Sequence, residues 1–392
     1  MIDFSIPEDL VAKRDRVRQW VIDEIIPYET DPRLTQHGPT DGLRQELVEK
    51  ARAAGLLTIQ APVEYGGWGL SHLEQAVLYE AAGWSTLGPV AMNCAAPDEG
   101  NMFLLNKITD AAQAERYLRP VIEGHQRSVF AMTEPDGAGS DPGQLRTTAT
   151  FDGTHFRIDG LKWLITGANG ARTWIIMADL QENPHLPSGP TLFLADGDAP
   201  GIVIERVMNS MDRNYVEGHC VVRFDGLSLP REALLGEAGA AFRYAQLRLA
   251  PARLTHAMRW LGAAERAQSI AIDHARTRTA FGKPIAEHQG VSFKIADNEI
   301  ALHHCRLSVW YVAWLLDQGE KARHESSVAK AFVSEELFRV LDRCVQVLGG
   351  IGVTEETPVS MLFRDVRGFR LYDGPTEVHQ YAIARKVLGG GR

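Results

Sequence analysis

The stretch FAMTEPDGAGSD, residues 130–141, separates two kinds of sequence pattern. Upstream of it, apolar residues recur at the spacing of a helix face, and Ser71 is a candidate N-cap for one of these helices. Downstream, from Thr147, apolar and polar residues alternate, and the Asp-Gly pairs at 152–153 and 159–160 are typical of hairpin turns. The stretch therefore marks a predicted change from helices to short strands.

The regions on either side of this change predict the fold class. At least five short strands follow one another without a helix between them, which favours a small antiparallel barrel or sandwich. From residue 240 the helical spacing returns, and three long helices with a closing one predict a four-helix bundle. The prediction is an α+β multi-domain chain: an all-α N-terminal domain (residues 1–128), a small antiparallel β-barrel middle domain (129–239) and a C-terminal four-helix bundle (240–392).

Composition places broad limits on function. The chain has 392 residues, of which 45% are hydrophobic and 23% charged, so it can bury a sizeable core. Its formal net charge of -9 argues against a general nucleic-acid binder and against a partner of anionic membranes. No apolar run resembles a signal peptide or a membrane span, so we expect a cytoplasmic location.

Several kinds of site are not predicted. The four cysteines are scattered without CxxC spacing, which favours buried thiols over a zinc site or a disulfide framework. The histidines show no HExxH spacing, and no GxGxxG, P-loop or GxSxG motif is present. We therefore expect no metal site, no Rossmann nucleotide site and no serine-hydrolase site.

A second informative stretch is RLYDGPTEVHQ, residues 370–380. Asp373 stands there between an aromatic residue and a Gly-Pro turn, and Pro375 lacks the N–H that a continuing helix needs. Most Asp-Gly pairs form turns or helix caps, and alone this pair favours that interpretation. The alternative is that the carboxylate belongs to a functional site.

Four motifs have both an ordinary and a functional interpretation. The glycines of residues 130–141 let the backbone approach a ligand closely, although Gly-Ala-Gly alone is a weak signal. KWLITG, residues 162–167, contains a threonine that is an ordinary strand residue on its own. RTAFGKPIAEHQ, residues 278–289, offers an arginine that suits phosphate but is usually a solvated cation. QVLGGIG, residues 346–352, could be only a helix C-cap.

Together, these motifs and the order of the three domains resemble the acyl-CoA dehydrogenases, and the resemblance spans essentially the whole chain. CAAPDEGNM, residues 94–102, and DGPTEVH, residues 373–379, look most like the branch that contains animal family members ten and eleven. The resemblance implies FAD-dependent α,β-dehydrogenation of an acyl-CoA thioester to the trans-2-enoyl-CoA. Asp373 would abstract the α proton, and flavin N5 would accept the β hydride.

The resemblance also assigns site residues. Arg253 would lie beside the base, and some relatives carry their base one residue before this arginine, where this chain has Ala252. Thr166 would lie near flavin N5. The cofactor-binding residues implied are Phe130, Met132, Thr133, Gly139, Ser140, Leu164, Thr166, Arg278, Phe281, His288, Gln289, Gln346, Gly350, Pro375 and Glu377.

The chain departs from the family at the base itself, because most members carry Glu where this chain has Asp373. Aspartate is one methylene shorter, so its carboxylate falls short by roughly 1.5 Å, one carbon–carbon bond. The loop must then lie closer to the substrate, or the substrate must differ from a plain fatty acyl-CoA.

The resemblance implies partners as well as chemistry. They are an acyl-CoA substrate, an electron-transferring flavoprotein as acceptor, and a second copy of the chain in a homodimer or homotetramer, since Gln346 and Gly350 would approach a neighbour's FAD. One alternative is an oxygen-using flavoenzyme of the same fold, of the nitroalkane oxidase or flavin monooxygenase type. The other is a flavin-free acyl-CoA-binding protein.

Overall fold

A computed structural model describes residues 5–137, 139 and 141–389. Its helices occupy both ends of the chain. They are α1 (Glu8–Trp20), α2 (Asp41–Ala53), α3 (His72–Ala82), α4 (Leu87–Ala91), α5 (Asp98–Ile108), α6 (Ala111–Gln113), α7 (Arg119–Ile122), α8 (Ala241–Thr277), α9 (Gln289–Asp317), α10 (Arg323–Leu348), α11 (Val359–Phe369) and α12 (Thr376–Val387). None of these helices combines the length and the apolar character needed to cross a lipid bilayer.

Most of the strands lie between the two helical parts. They are β1 (Leu34–Thr35), β2 (Gly38–Pro39), β3 (Ser128–Ala131), β4 (Thr148–Phe151), β5 (His155–Thr166), β6 (Thr173–Leu180), β7 (Gly189–Asp196), β8 (Ile202–Met208), β9 (His219–Pro230), β10 (Leu234–Leu235), β11 (Thr279–Ala280) and β12 (Lys283–Pro284). Strands β3 to β10 form one sheet in the order β10-β7-β6-β4-β5-β9-β8, with β3 beside β6. The predicted α+β class, with a β region between two helical regions, is confirmed.

The sheet differs from the prediction in two ways. It is mixed rather than antiparallel, because β3 and β4 each pair parallel to β6. The first Asp-Gly pair, 152–153, does form the turn between β4 and β5, as predicted. The second pair forms no turn: it lies inside β5, where the register against β9 shifts between Ile158 and Gly160. A bulge uses the conformational freedom of glycine just as a turn does, so the dipeptide alone does not distinguish them.

Strand β6 is buried on both faces, which explains its nearly continuous apolar sequence. One face, including Trp174 and Ile176, packs into the core of the β region. The other face, including Ile175 and Met177, packs with apolar residues of α5, α7 and β7. Burial of a sheet on both sides removes the polar alternation that a half-exposed strand would show.

The described residues fall into two compact units. The β unit comprises Thr30–Gly69 and Val90–Ala252, and the bundle unit comprises Met1–Glu29, Leu70–Pro89 and Arg253–Arg392. Helices α1 and α3 therefore belong with α9 to α12, although they lie far from them in sequence. The division of the sequence at residues 128 and 239 stays a prediction.

Helix α3 has well-defined caps and close neighbours in the bundle unit. The Ser71 side chain accepts from the backbone N–H of Glu74 and Glu74 bonds back, so the predicted N-cap is confirmed as a capping box. The Asp317 carboxylate accepts from the next two backbone N–H groups of α3, at 2.7 and 3.0 Å. A carboxylate at a helix N-terminus is favoured by the helix dipole.

Candidate active site

Asp373 lies in the turn between α11 and α12, in a conformation that few residues tolerate. Its φ is 54°, and Gly374 follows with φ 99°. Pro375 is the N-cap of α12, where its missing N–H costs nothing. Aspartate is one of the few non-glycine residues that visit the left-handed region, and strained residues cluster at functional sites.

The backbone of this turn is held from both sides. Arg253 Nε donates to the carbonyl oxygen of Asp373 at 2.9 Å, and His379 Nε2 lies 3.2 Å from the same oxygen. Lys330 Nζ donates to the carbonyl oxygens of Phe369 and Gly374, at 2.7 and 2.9 Å. Three side chains from three helices thus fix the main chain on either side of Asp373.

Burial lowers the pKa of two of these groups. It lowers the pKa of Lys330 to about 8, against the pull of the Asp373 carboxylate. It also lowers the pKa of His379 to about 4, and the charges of Arg253 and Lys330 add to this shift. At pH 7 His379 is therefore neutral and donates through Nε2–H to the Asp373 carbonyl.

The Asp373 carboxylate is itself enclosed. Its Oδ2 atom is buried and accepts no hydrogen bond from any described residue. His256 Nε2 lies 3.4 Å from Oδ2, and both side chains are largely buried. A buried carboxylate oxygen without a hydrogen bond costs free energy, and a functional role is one explanation for such an atom in a folded protein.

His256 has a defined tautomer in this arrangement. Arg259 Nη2 lies 3.2 Å from His256 Nδ1, and a guanidinium can only donate. Nδ1 must therefore accept, and the ring hydrogen lies on Nε2, the atom that faces Asp373. The His256 ring also packs on Tyr372 with centroids 4.6 Å apart, and Trp260 Nε1 donates to the Tyr372 hydroxyl at 2.7 Å.

Sequence reasoning missed Lys330, His379 and His256 as parts of this site. Only His256 carried a usable signal, because it follows Arg253 by three positions on α8 and so lies on the same helix face. The structure brings Arg253 and Asp373 together, while Glu377 lies exposed in the first turn of α12.

In the β unit, the structure brings two predicted motifs together. Lys162 Nζ donates to the Met132 carbonyl at 3.0 Å, and the Trp163 N–H donates to the Thr133 carbonyl at 3.1 Å. Phe130 lies in β3, and these two hydrogen bonds join the segment that follows β3 to the C-terminal part of β5.

Leu164 lies on a bulge next to this junction. The register of β5 against β9 shifts between Lys162 and Ile165, and Leu164 has φ 53° with 43% of its surface exposed. A branched apolar residue in the left-handed region of a bulge is strained, and bulges often redirect a side chain towards a site.

A buried ion pair supports the junction, and sequence reasoning missed it. Lys162 Nζ lies 2.8 Å from Glu134 Oε1, and Glu134 also accepts from the backbone N–H groups of Arg146 and Thr147. Burial lowers the pKa of Lys162 to about 8, with Glu134 opposing the shift. Burial would raise the pKa of Glu134, but Lys162 and Thr147 outweigh it and the pKa is lowered.

Two further predicted residues, Gly139 and Ser140, follow β3 in the sequence. Gly139 is exposed, and a Cβ atom placed on it would meet nothing within 4 Å, so the space before its backbone is open. Ser140 lies outside the described residues. Thr166, at the end of β5, has its hydroxyl 2.9 Å from His219 Nδ1.

In the bundle unit, four predicted cofactor residues lie on and beside one hairpin. Arg278 and Gln289 flank the segment that contains β11 and β12, and both are exposed. Phe281 has φ 52° and is 96% exposed, with its ring 6.1 Å from that of His288. The Phe281 ring is therefore available for contact with another molecule.

Gln346 and Gly350 lie elsewhere in the bundle unit. Gln346 is exposed near the end of α10, and Gly350 follows in a short 3₁₀ turn, where a Cβ atom would meet nothing within 4 Å. The four cysteines are buried thiols, as predicted.

Comparison with known proteins decides the family. Profiles of the acyl-CoA dehydrogenase N-terminal, middle and C-terminal domains match residues 7–125, 129–227 and 239–388. The chain belongs to the acyl-CoA dehydrogenase family. It is therefore a member of an FAD-dependent oxidoreductase family.

Full-length relatives agree with this assignment. The chain is 37% identical to "Probable acyl-CoA dehydrogenase FadE2" of Mycobacterium tuberculosis, over 99% of this chain and 97% of the relative. It is 33% identical to acyl-CoA dehydrogenase family member 10 of Mus musculus and 34% identical to member 11 of Rattus norvegicus. These matches cover 95% and 88% of this chain, but only 36% and 45% of the two animal proteins.

A solved structure matches along the whole chain. Butyryl-CoA dehydrogenase from Megasphaera elsdenii superimposes with a TM-score of 0.87 at 25% identity, covering 99% of this chain and 100% of that one. The branch containing family members ten and eleven, indicated by the sequence motifs, is supported by the relatives.

Proposed function

We propose that this protein catalyses the FAD-dependent α,β-dehydrogenation of an acyl-CoA thioester to the trans-2-enoyl-CoA, with Asp373 as the general base. The observation that carries the proposal is the buried Asp373 Oδ2 atom, which accepts no hydrogen bond from the described residues. A base must have a lone pair available, and this oxygen has one on a loop whose backbone is held by Arg253, Lys330 and His379.

The loop residues keep the carboxylate in place during proton transfer. A displacement of about 1 Å can cost about a hundredfold in rate, so a short base needs a rigid support. Arg253 and Lys330 also place positive charge beside the Asp373 side chain.

His256 acts as a positioning residue for the base. Its Nε2–H faces Asp373 Oδ2 at 3.4 Å, longer than a good hydrogen bond, so the carboxylate is oriented without being strongly held. Arg259 maintains this tautomer through His256 Nδ1. The α proton can therefore be received by Oδ2 without first breaking a short hydrogen bond.

FAD, when bound, supplies the acceptor for the β hydride, which no amino-acid side chain can provide. The described residues fit such a group. In the β unit, an exposed strained leucine, a strand-end hydroxyl at Thr166 and open space before Gly139 are suited to an aromatic, polar cofactor. We propose that Phe130, Met132, Thr133, Gly139, Ser140, Leu164 and Thr166 bind it there.

The exposed hairpin of the bundle unit would serve a second subunit. Arg278 offers the planar donor fork that suits a pyrophosphate, and Phe281 offers an uncovered ring. We propose that Arg278, Phe281, His288, Gln289, Gln346 and Gly350 contact the FAD of a partner copy, which makes the protein a homodimer or a homotetramer. Pro375 and Glu377 are proposed to contact the cofactor from the start of α12.

The proposed partners follow from the same reaction. The substrate is an acyl-CoA thioester, and the proposed acceptor of the electrons is an electron-transferring flavoprotein. The acyl chain is left open by the residues described above, so the test must use several thioesters.

The purified protein tests this proposal directly. It should be yellow, and a panel of saturated acyl-CoA thioesters, added without oxygen, should bleach the flavin absorbance with formation of the 2-enoyl product. A parallel oxygen-electrode measurement should show little oxygen uptake with the same thioesters. A colourless protein that binds acyl-CoA, or rapid oxygen consumption with a non-thioester substrate, would contradict the proposal.

A further inference from the structure

Three side chains of the β unit form a hydrogen-bonded chain that the proposed reaction does not yet use. Thr166 Oγ1 lies 2.9 Å from His219 Nδ1, and His219 Nε2 lies 3.1 Å from Asp212 Oδ2. Thr166 ends β5 and His219 begins β9, and the two are direct partners in the sheet register. The side chains of His219 and Asp212 are only 12% and 11% exposed.

An ordinary explanation covers part of this arrangement. Pairs of polar residues that face each other across two strands stabilise a sheet, and the Thr166–His219 pair could have only that role. A cross-strand pair does not explain Asp212, because burying a carboxylate costs free energy and the sheet would be complete without it. Burial would raise the pKa of Asp212, but the hydrogen bond and charge of His219 outweigh it and the pKa is lowered.

The hydrogen positions follow from donor and acceptor chemistry. An ionised carboxylate can only accept, so His219 Nε2 must carry a hydrogen. When His219 is neutral, Nδ1 must then accept from the Thr166 hydroxyl, whose oxygen offers only lone pairs to any other group. When His219 is protonated, Nδ1–H donates to the Thr166 oxygen, and the hydroxyl hydrogen turns outward as a donor.

The two states of the hydroxyl match the two states of a flavin. Oxidised flavin N5 is an acceptor, and reduced flavin carries N5–H, which is a donor. We propose that His219, oriented by Asp212, is a positioning residue that sets whether Thr166 donates to or accepts from flavin N5, so that flavin reduction is linked to proton release from His219. This inference rests on the proposed function, because it needs Thr166 beside N5.

The proton and electron balance is complete within the proposed reaction. The substrate Cβ–H bond breaks and its hydrogen moves with two electrons to N5, while the α proton goes to Asp373. One further proton leaves His219 Nδ1 for solvent, and the hydroxyl hydrogen of Thr166 turns to Nδ1. No additional oxidant or reductant is needed, and no protein group changes its oxidation state.

Several charged and titratable groups lie near His219. The Tyr215 ring packs on it with centroids 5.1 Å apart, and Asp212 faces it from the same loop. Glu217 is engaged by the backbone N–H of Asp41 and by Asn169. A Cβ atom placed on the adjacent Gly218 would lie 3.1 Å from the His37 carbonyl oxygen, so His37 is close to this turn. Arg127 donates to the carbonyl oxygen of Gly167, beside Thr166.

Redox titration as a function of pH tests the linkage without relying on turnover. The FAD-loaded protein is reduced stepwise with dithionite, and the flavin midpoint potential is measured at closely spaced pH values. Two-electron reduction of a flavin to its N5–H anion takes up one proton. Release of a proton from His219 cancels that uptake, so the potential should become independent of pH over an interval.

Imidazole NMR measures the histidine itself. His219 in protein with labelled histidine should titrate at a pH at least one unit lower in the reduced than in the oxidised holoprotein. The pH-independent interval of the potential should lie between these two titration midpoints.

Variants separate a linked histidine from a structural one. The pH-independent interval should disappear in His219→Gln and in Thr166→Val. In Thr166→Val, His219 should still titrate, but at the same pH in the oxidised and the reduced protein. Asp212→Asn should shift the interval to lower pH. His155→Gln is the matched control, because His155 begins β5 and its Nδ1 lies 3.1 Å from Oγ1 of the preceding Thr154 in an exposed pair, and it should leave the interval unchanged.

The outcomes distinguish this inference from the proposed function. If thioesters bleach the flavin but His219 titrates at the same pH in both redox states, the linkage is wrong and the proposed function stands. If the purified protein retains no FAD, the proposed function is wrong, and the linkage that rests on it is wrong as well. An identical effect of His155→Gln and His219→Gln on the potential would also overturn the linkage.

Discussion

The residue that matters most, Asp373, is supported by groups that come from distant parts of the sequence. Asp-Gly-Pro indicates a break before a closing helix predicted over 377–388, and α12 agrees with that span within one residue. Lys330 and His379 could not be found in this way. Their relation to Asp373 exists only after α10 and α12 pack together, and a lone lysine or histidine in a helix is usually a surface residue.

We predict that His256 tunes the base. His256→Phe removes the Nε2–H that faces Asp373, so anaerobic flavin bleaching should slow by about ten- to a hundredfold, the range expected for a misplaced base. His256→Gln can still donate and should recover part of the rate. Thioester and FAD binding should be unchanged in both variants.

His304→Gln is the control, because His304 is exposed on α9. Equal rates in His256→Phe and the parent protein would show that His256 plays no part in positioning Asp373.

The lowered pKa of His379 makes the stability of the folded protein depend on pH. Its pKa is lowered from 6.5 to about 4 in the folded protein. The unfolded chain therefore binds more protons between these values, so the stability contributed by neutral His379 is present above pH 6.5 and lost as the pH falls toward 4.

Chemical denaturation at several pH values tests this prediction. Between pH 6.5 and 4 the parent protein should lose more unfolding free energy than His379→Gln, which cannot titrate but keeps an N–H donor. The difference should be of the order of 1 kcal/mol, allowing for solvent screening. Equal losses of unfolding free energy in the two proteins would show that the pKa of His379 is not lowered in the folded protein.

Among the elements, the long helices were predictable and the irregular features were not. Apolar residues at helical spacing predict helices over 242–277, 288–317 and 326–348, and α8, α9 and α10 agree with these spans within three residues. Helix α11 was missed because it is short and follows a stretch rich in glycine. The bulge in β5 and the parallel pairing of β3 were missed because both depend on neighbours that the local pattern does not identify.

Close approach of two helices predicts a sensitive glycine. A Cβ atom at Gly262 of α8 would overlap the carbonyl oxygen of Glu80 in α3, so backbone rather than a flexible side chain would have to move. Gly262→Ala should lower the free energy of unfolding by about 1–3 kcal/mol, as overpacking does.

Gly290→Ala, in α9, is the control, because a Cβ atom there would meet nothing within 4 Å. It should be neutral or slightly stabilising, since alanine favours helix. Thermal unfolding of both variants measures the difference, and a similar Tm for Gly262→Ala and the parent would contradict the predicted overlap.

For the whole molecule, the order of helical, β and helical regions was visible in the sequence, but the grouping into units was not. Helices α1 and α3 join the bundle unit across more than a hundred residues of sequence. Within the bundle unit, ion pairs such as Arg306 with Glu80 and Arg266 with Glu29 connect segments that are far apart in sequence. No local sequence pattern reveals these pairs.

At this scale we predict that Arg278 links the cofactor to assembly. Arg278→Ala should reduce both the FAD content of the purified protein and the stability of its dimer, because one arginine would bind a partner's pyrophosphate. Arg276→Ala, which removes an exposed arginine two residues away, should change neither. Absorbance ratios and sedimentation measure the two quantities, and full FAD content in a stable Arg278→Ala dimer would refute the assignment.

The most direct test of the proposed reaction is anaerobic single-turnover reduction of the flavin in Asp373→Asn, using the thioester that best bleaches the parent protein. The variant should bind FAD and thioester normally but lose at least about a thousandfold in reduction rate, within the range for removal of a general base. Asp342→Asn, a change at an exposed aspartate of α10, should react like the parent. Flavin reduction by Asp373→Asn at near the parent rate would show that the base lies elsewhere.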